Sequence, residues 1–413
     1  MSNSKKGNTN NYEYHGSMLN SGKVTKVIEH VHQANLAALG KGLSITPLCI
    51  WGKHGIGKTS IPKQIATKKG IGFRSIAPAQ FEEMGDLLGM PGTGVWVTKD
   101  GQSKLVDSEL VQSYNNDGWE RDRTRPNQTI TAAPEWVPNP DLGDEEEGFF
   151  LIDDFNRAGP RIINGIMQLL QDGGLATWKL PAKWTIILTA NPSGGLYQVT
   201  ELDEAQMTRA THVSMEFDKK MWADWAIPAQ IDQRVVNFVL THPELLQNGN
   251  LTTARSIVAF ANNITSLKDL KKQIDLVQIL GKGSLDPETA TTFTSFINDN
   301  LTKLITPEEI LNSKNFDSEV KKGCVEKFSK GAVQRVDILS VLAYRLVQYC
   351  VDQLQGDLTK EQIDNVKNFI NISSIPNDIR LNIAQELVAP KSMPKLKKIM
   401  ADPTIGKLLM SRM

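Results

Sequence analysis

Gly52-Lys53-His54-Gly55-Ile56-Gly57-Lys58-Thr59 fits the pattern G-x-x-x-x-G-K-[ST], and the residues around it supply the setting that pattern requires. Upstream, Pro47-Leu48-Cys49-Ile50-Trp51 is a continuous apolar run, as in a parallel strand buried on both faces. Downstream, Thr59 to Lys69 carries helical periodicity. Between a strand and a helix, such glycines let successive N–H groups turn inward around a phosphate. Lys58 then offers a positive charge to β- and γ-phosphates, the Thr59 hydroxyl is a Mg²⁺ ligand, and the helix N-terminus adds its dipole. Gly52, Lys53, His54, Gly55, Ile56, Gly57, Lys58, Thr59 and Ser60 are therefore the candidate contacts for a nucleoside triphosphate.

A triphosphate site also needs carboxylates for the metal and for the attacking water. Phe149-Phe150-Leu151-Ile152 is a second buried strand, ending in Asp153-Asp154. Asp153 at the strand end is placed to hold Mg²⁺, and Asp154 beside it is the candidate base. A third strand, Thr185 to Ala190, ends in Asn191-Pro192, where the amide is expected to orient water or touch the γ-phosphate. His212 to Phe217 reads as a last strand, and Gly159 to Asp172 as a helix. Strands alternating with helices predict a parallel three-layer α/β/α fold.

The rest of the chain is read outward from that core. Its 413 residues are 40% hydrophobic and 22% charged, which excludes wholesale disorder. Lys and Arg total 46, Asp and Glu 46, so no overall field recruits nucleic acid or anionic lipid. Cys49, Cys324 and Cys350 are too scattered for a disulfide framework or a zinc cluster, which points to a reducing, cytoplasmic setting. No apolar run approaches a membrane span. Residues 1–20, rich in Ser, Asn, Gly and Lys, are expected to form a flexible tail; 21–217 the α/β domain; 218–283 a helical lid; and 284–413 an all-helical C-terminal domain. Within the α/β domain, Ile71 to Asn139 reads as a loop-rich insertion and Leu175 to Trp184 as a hairpin.

The segments GKHGIGKTS, FFLIDDFNRAGPRIINGIMQLLQDGG, LATWKLPAKW, ILTANPSGG and ELDEAQMTRATHVSMEFD stand in an order that resembles the AAA+ ATPases of the MoxR-like branch. The resemblance covers roughly Leu48 to Phe217, with a looser match through Arg255. It implies that Lys58 and Thr59 are Walker A residues, Asp153 and Asp154 the Walker B pair, Asn191 sensor 1, Arg209 the arginine finger and Arg255 sensor 2. Ala254 stands where the family often has proline, and Asp154 where it usually has glutamate. It further implies ATP and Mg²⁺, a homo-oligomeric ring, a hexamer by that resemblance, and chaperone-like remodelling of a protein client, often with a von Willebrand factor A-domain partner. A nucleic-acid translocase and a slowly turning nucleotide-switched scaffold are the alternative readings of the same engine.

Four further features complete the reading. The acidic run Asp144 to Glu147 reads as a solvated loop, and Trp96, Trp119 and Trp136 as local packing. Lys395-Leu396-Lys397-Lys398 reads as a charged helix face, and Arg157 as either a contact to a neighbouring nucleotide or the partner of a local carboxylate.

Overall fold

A computed structural model of the chain describes residues 12–194, 197–298, 304–326, 336–353 and 358–388, so the basic cluster at Lys395 to Lys398 lies outside the described residues. The chain divides into two compact units, Met1–Asp218 and Lys219–Met413.

In the first unit, strands β1 (Ser17–Leu19), β2 (Leu48–Trp51) and β3 (Gly72–Ile76) precede a separate antiparallel module. That module consists of β4 (Met90–Lys99), β5 (Gln102–Asp107), β6 (Glu120–Arg121) and β7 (Gln128–Ala132), with β5, β6 and β7 all paired to β4. The chain then returns to the main sheet through β8 (Glu147–Ile152), β9 (Lys183–Ala190) and β10 (Thr211–Met215). The main sheet has the order β1-β10-β2-β9-β8-β3, and every pairing in it is parallel.

The strand residues explain why both faces are covered. Leu48, Ile50, Phe149, Leu151 and Ile187 point to one side, where they pack with Val24 and Ile28 of helix α1 (Ser21–Leu39) and Ile61 and Ile65 of α2 (Ser60–Lys69). Cys49, Trp51, Phe150, Ile152, Ile186 and Leu188 point to the other, against Ile162, Ile163, Ile166 and Leu170 of the helix Pro160–Asp172. Side chains alternate along a strand, so a run that is apolar at every position must be sandwiched. The fold is accordingly a three-layer α/β/α core around a parallel sheet, followed by a helical unit.

One polar anchor crosses this core. His32, fully buried on α1, sits with Nδ1 2.8 Å from Thr185 Oγ1 and Nε2 2.9 Å from Glu147 Oε1, tying the helix to β9 and β8. The acidic run is therefore more engaged than a solvated loop: Asp144 pairs with Arg74, Glu146 with Lys183 and Glu147 with His32.

Of the tail expected over residues 1–20, only residues 12–20 are described, and part of that stretch is held in the sheet. Residues 17–19 pair in parallel with Val213 to Met215, and Glu13 bridges Ser193. Sheet edges offer unpaired amides and carbonyls, so a polar segment is ordered there by main-chain bonds without an apolar face of its own. Gly16 makes the entry possible: at φ +75°, a Cβ would lie 2.1 Å from the His212 carbonyl oxygen.

The loop-rich reading of Ile71 to Asn139 is corrected too. Most of it is the antiparallel module, which has a small core of Val95, Val97, Val106, Tyr114 and Trp119. Its tryptophans pack locally, Trp119 edge-on to Tyr114 and Trp96 beneath Arg125, while Trp136 meets Trp178 and Phe150 of the main core.

Beside the phosphate-loop strand, His212 is held as one neutral tautomer. The Trp51 indole donates to its Nδ1 at 2.9 Å, so the proton sits on Nε2, 2.7 Å from the Met207 carbonyl. Burial, with His15 nearby, holds its pKa below the usual histidine value against the opposing Met207 bond. The unfolded chain then binds the proton first, so stability is complete above about pH 6.5 and falls as the pH drops below it. Denaturant midpoints measured from pH 7.5 to 5 should show this acid loss, and His212→Asn should flatten it; an unchanged slope would refute the assignment.

The second unit is helical throughout its described residues. Phe238, Phe260, Phe293 and Phe296 form one edge-to-face aromatic cluster inside it, from helices Gln233–Thr241, Ala254–Ile264 and Pro287–Asn298. Among the described residues no helix is long and apolar enough to cross a membrane.

Candidate nucleotide site

The C-terminal ends of β2, β8 and β9 lie side by side, with β9 between the other two. Each of the three apolar runs therefore delivers its polar terminus to the same edge of the sheet.

The loop after β2 turns through Gly55 at φ +70° and Gly57 at φ +102°, conformations that L side chains rarely adopt. It delivers Lys58, only 5% exposed, back across its own turn. The Lys58 ammonium donates to the carbonyls of Gly52 at 2.7 Å and Lys53 at 3.0 Å, and to Asn191 Oδ1 at 3.1 Å. Thr59 is the N-cap of α2, yet its hydroxyl makes no capping bond. It donates instead to Asp153 Oδ1 at 2.8 Å. Pro62 falls in the first turn of α2, among the amides that a helix start leaves without an intrahelical acceptor, so its missing N–H is tolerated.

Asp153 also receives the Thr189 hydroxyl at 2.5 Å, and that hydroxyl accepts the Asp154 N–H at 2.8 Å. Thr189 is fully buried on β9 and was not identifiable from the sequence, where it reads as one more strand residue. Asp154 itself takes a left-handed backbone, φ +49° and ψ +42°, uncommon outside glycine although aspartate and asparagine adopt it more readily than other residues. Arg157 lies 3.8 Å from Asp154, which favours the local-carboxylate reading; both side chains are substantially exposed, so the pair adds little to stability.

Asn191 is 1% exposed. Its Oδ1 is used by Lys58, which fixes the amide orientation, and its Nδ2 is buried with no acceptor among the described residues. A buried amide nitrogen left without a partner costs about 1–3 kcal/mol, so a site that keeps one beside a buried lysine fits an anionic ligand. The donor set is consistent with a magnesium-bound triphosphate: Lys58, the loop amides and Asn191 Nδ2 for phosphate oxygens, Thr59 and Asp153 for the metal. No group of three His, Cys, Asp or Glu side chains suited to holding a metal by themselves occurs among the described residues.

Aromatic residues border this site that the sequence did not single out. The Tyr197 hydroxyl accepts the His54 N–H at 3.2 Å and lies 2.8 Å from His54 Nδ1. Tyr12 packs on Tyr197, and the Lys53 ammonium lies 5.2 Å from the centre of the Tyr12 ring. Tyr12 and Tyr197 are distant in sequence, so only the fold brings them together.

Of the remaining predicted residues, Arg209 lies apart from this cluster within the first unit, and Arg255 belongs to the second unit. Arg209 follows the short helix Glu204–Met207 and donates to the Ala205 carbonyl of its own turn. It precedes Thr211, which pairs with Leu48 at the start of β2, whereas the phosphate loop follows Trp51 at the strand's end. At ~3.3 Å per residue, the length of the sheet separates Arg209 from its own phosphate loop. Arg255 is exposed in the first turn of Ala254–Ile264 in the second unit, behind a Thr253 cap. The preceding loop is fixed by Asp286: burial opposes its charge, but the amides of Thr252, Leu251 and Asn250 outweigh that and hold its pKa below the ordinary aspartate value.

No known protein family matches the chain, and no curated protein matches it. Among solved structures, it is similar to the Thermotoga maritima RuvB Holliday junction branch migration motor, at 12% identity and a TM-score of 0.33, covering 83% of this chain and 94% of that one. It is also similar to Hsp104 in its closed state with ATPγS and FITC casein, at 13% identity and a TM-score of 0.36, covering 60% of this chain and 45% of that one. The parallel core and the glycine loop are read from the chain's own geometry, not from these distant likenesses.

Proposed function

We propose that this chain is a Mg²⁺-dependent ATPase of the MoxR-like AAA+ type that works as a homo-oligomeric ring, a hexamer by family resemblance, to remodel a protein client. The observation that carries the reading is the convergence of Lys58, Thr59, Asp153 and Asn191 on one sheet edge, with the Asn191 Nδ2 buried and without an acceptor among the described residues. ATP is favoured over GTP because no Asn-Lys-x-Asp guanine-reading stretch occurs.

Bound Mg²⁺ would neutralise charge that builds on the phosphate oxygens. The chain's own residues do the rest. Lys58 and the loop amides bind phosphate, Thr59 and Asp153 hold the metal, and Asn191 and Asp154 orient and deprotonate water. Arg209 reaches the neighbouring protomer's site, and Arg255 reads nucleotide state from the helical unit. A von Willebrand factor A-domain protein is the partner class this reading favours. Neutral net charge weighs against a nucleic-acid track.

Phosphate release from Mg·ATP tests the proposal, measured alone and with single-stranded DNA, duplex DNA or an A-domain partner. Stimulation by the partner protein supports it. Stimulation only by DNA, falling steeply with salt, replaces the client reading with a translocase, and no release at all leaves a nucleotide-switched scaffold.

Asp154 bears on that last outcome. Its carboxylate is one methylene shorter than glutamate and shares its charge with Arg157. General-base catalysis needs hydrogen-bond reach to the water, so Asp154→Glu should raise kcat by about threefold or more with nucleotide affinity unchanged. A kcat that stays level or falls would mean that the aspartate already has the reach it needs.

A further inference from the structure

Asn156 is 2% exposed and sits in the one-turn segment Phe155–Arg157 directly after Asp153-Asp154. Its side chain makes two reciprocal bonds to the main chain of Asn191. Asn156 Nδ2 donates to the Asn191 carbonyl at 2.8 Å, and the Asn191 N–H donates to Asn156 Oδ1 at 3.1 Å. The carboxamide thus does what a neighbouring strand's peptide would do, at the point where β9 ends and pairing stops.

The clamp is itself held. The Thr200 N–H donates to the Asn156 carbonyl at 2.7 Å, and the Thr200 hydroxyl donates to the Ala158 carbonyl at 2.9 Å. On the other side of the clamp, Asn191 has every polar group engaged except Nδ2: its N–H and carbonyl are on Asn156 and its Oδ1 is on Lys58. A simple core asparagine would not need a second buried asparagine to fix its main chain while its own amide nitrogen stays without a partner.

We infer that Asn156 is a positioning residue: it locks the Asn191 main chain to the Asp153-Asp154 turn so that Asn191 Nδ2 is presented to the terminal phosphate of a bound triphosphate. The inference rests on the nucleotide reading above and goes beyond it, because it assigns the coupling between the acidic turn and Asn191 to one side chain. A group that serves the terminal phosphate discriminates triphosphate from diphosphate. A group that merely supports the fold weakens both alike.

The test is binding, not turnover. Affinities of the full chain for Mg·ATPγS and Mg·ADP are measured for wild type, Asn156→Ala, Asn191→Ala and the double variant, with melting temperatures alongside. Asn156→Ala should weaken Mg·ATPγS about tenfold and leave Mg·ADP within about twofold. The double variant should be no weaker than Asn191→Ala alone, since Asn156 acts only through Asn191. If Asn156→Ala does not fold, Asn156→Asp, which keeps the volume but sets an acceptor against the Asn191 carbonyl, should show the same selective loss. Equal loss of both nucleotides, or a double variant as weak as the product of the singles, overturns the inference. Wild-type protein that binds neither nucleotide overturns the phosphate-site reading and this inference with it, whereas wild-type binding with non-selective loss overturns this inference alone.

Discussion

Lys58→Ala should abolish measurable Mg·ATP binding, weakening it by ~100-fold or more in a calorimetric titration. A single charge-assisted bond contributes about 1.5–3 kcal/mol, and each 1.4 kcal/mol is a tenfold change in affinity. Lys58 is poised for more than one such bond, because its ammonium is already held on the Gly52 and Lys53 carbonyls and on Asn191 Oδ1 rather than swinging in solvent. The substitution also strips those oxygens of their donor, so melting must be followed in parallel. A folded variant that binds Mg·ATP as tightly as wild type would mean that the glycine loop is a structural turn.

Arg209→Ala should bind nucleotide within about twofold of wild type and lose turnover by ~10³-fold or more, the range in which a supplied arginine acts on phosphoryl transfer. The sheet explains the separation of the two effects. Arg209 precedes Thr211, which pairs with Leu48 at the start of β2, while the candidate phosphate loop lies beyond Trp51 at the opposite end. An arginine so placed cannot serve its own nucleotide and is free to serve another protomer's. Retention of full turnover would return Arg209 to the ordinary role suggested by its bond to Ala205, that of a helix-end surface residue.

Much of the core was legible because each decisive strand is apolar on both faces and stops abruptly at a glycine or a polar residue. Leu48 to Trp51 ends in glycine, Phe149 to Ile152 in Asp153 and Thr185 to Ala190 in Asn191, so strand, end and chemistry are written together. The edges were not legible. β1 is Ser-Met-Leu and β3 carries Arg74 and Ser75, since an edge strand is held by main-chain pairing and has one side free. The antiparallel module escaped notice because its small core rests on a few valines, Tyr114 and Trp119 spread over a glycine-rich stretch.

Within the candidate site, the residues that the structure brings to one sheet edge, Lys58, Thr59, Asp153 and Asn191, could be read from spacing, whereas those that hold them could not. Thr189 looks like any strand threonine until its hydroxyl is seen between Asp153 and the Asp154 N–H. Asn156 stands in the NRA segment that carried part of the family resemblance, but nothing in the order of residues shows its side chain paired with the Asn191 main chain. Tyr12 and Tyr197 meet over the phosphate loop through contacts with a sequence separation that no local pattern encodes.

The most direct measurement mixes two inactive proteins, Lys58→Ala, which lacks the phosphate grip, and Arg209→Ala, which lacks the reaching arginine. If each site is assembled from two protomers, the mixture should recover phosphate release, because a Lys58→Ala subunit still lends its Arg209 to an intact loop next door. A mixture that stays as inactive as its components, under conditions where wild-type protein turns over and the two variants are shown to co-assemble, would contradict the shared site.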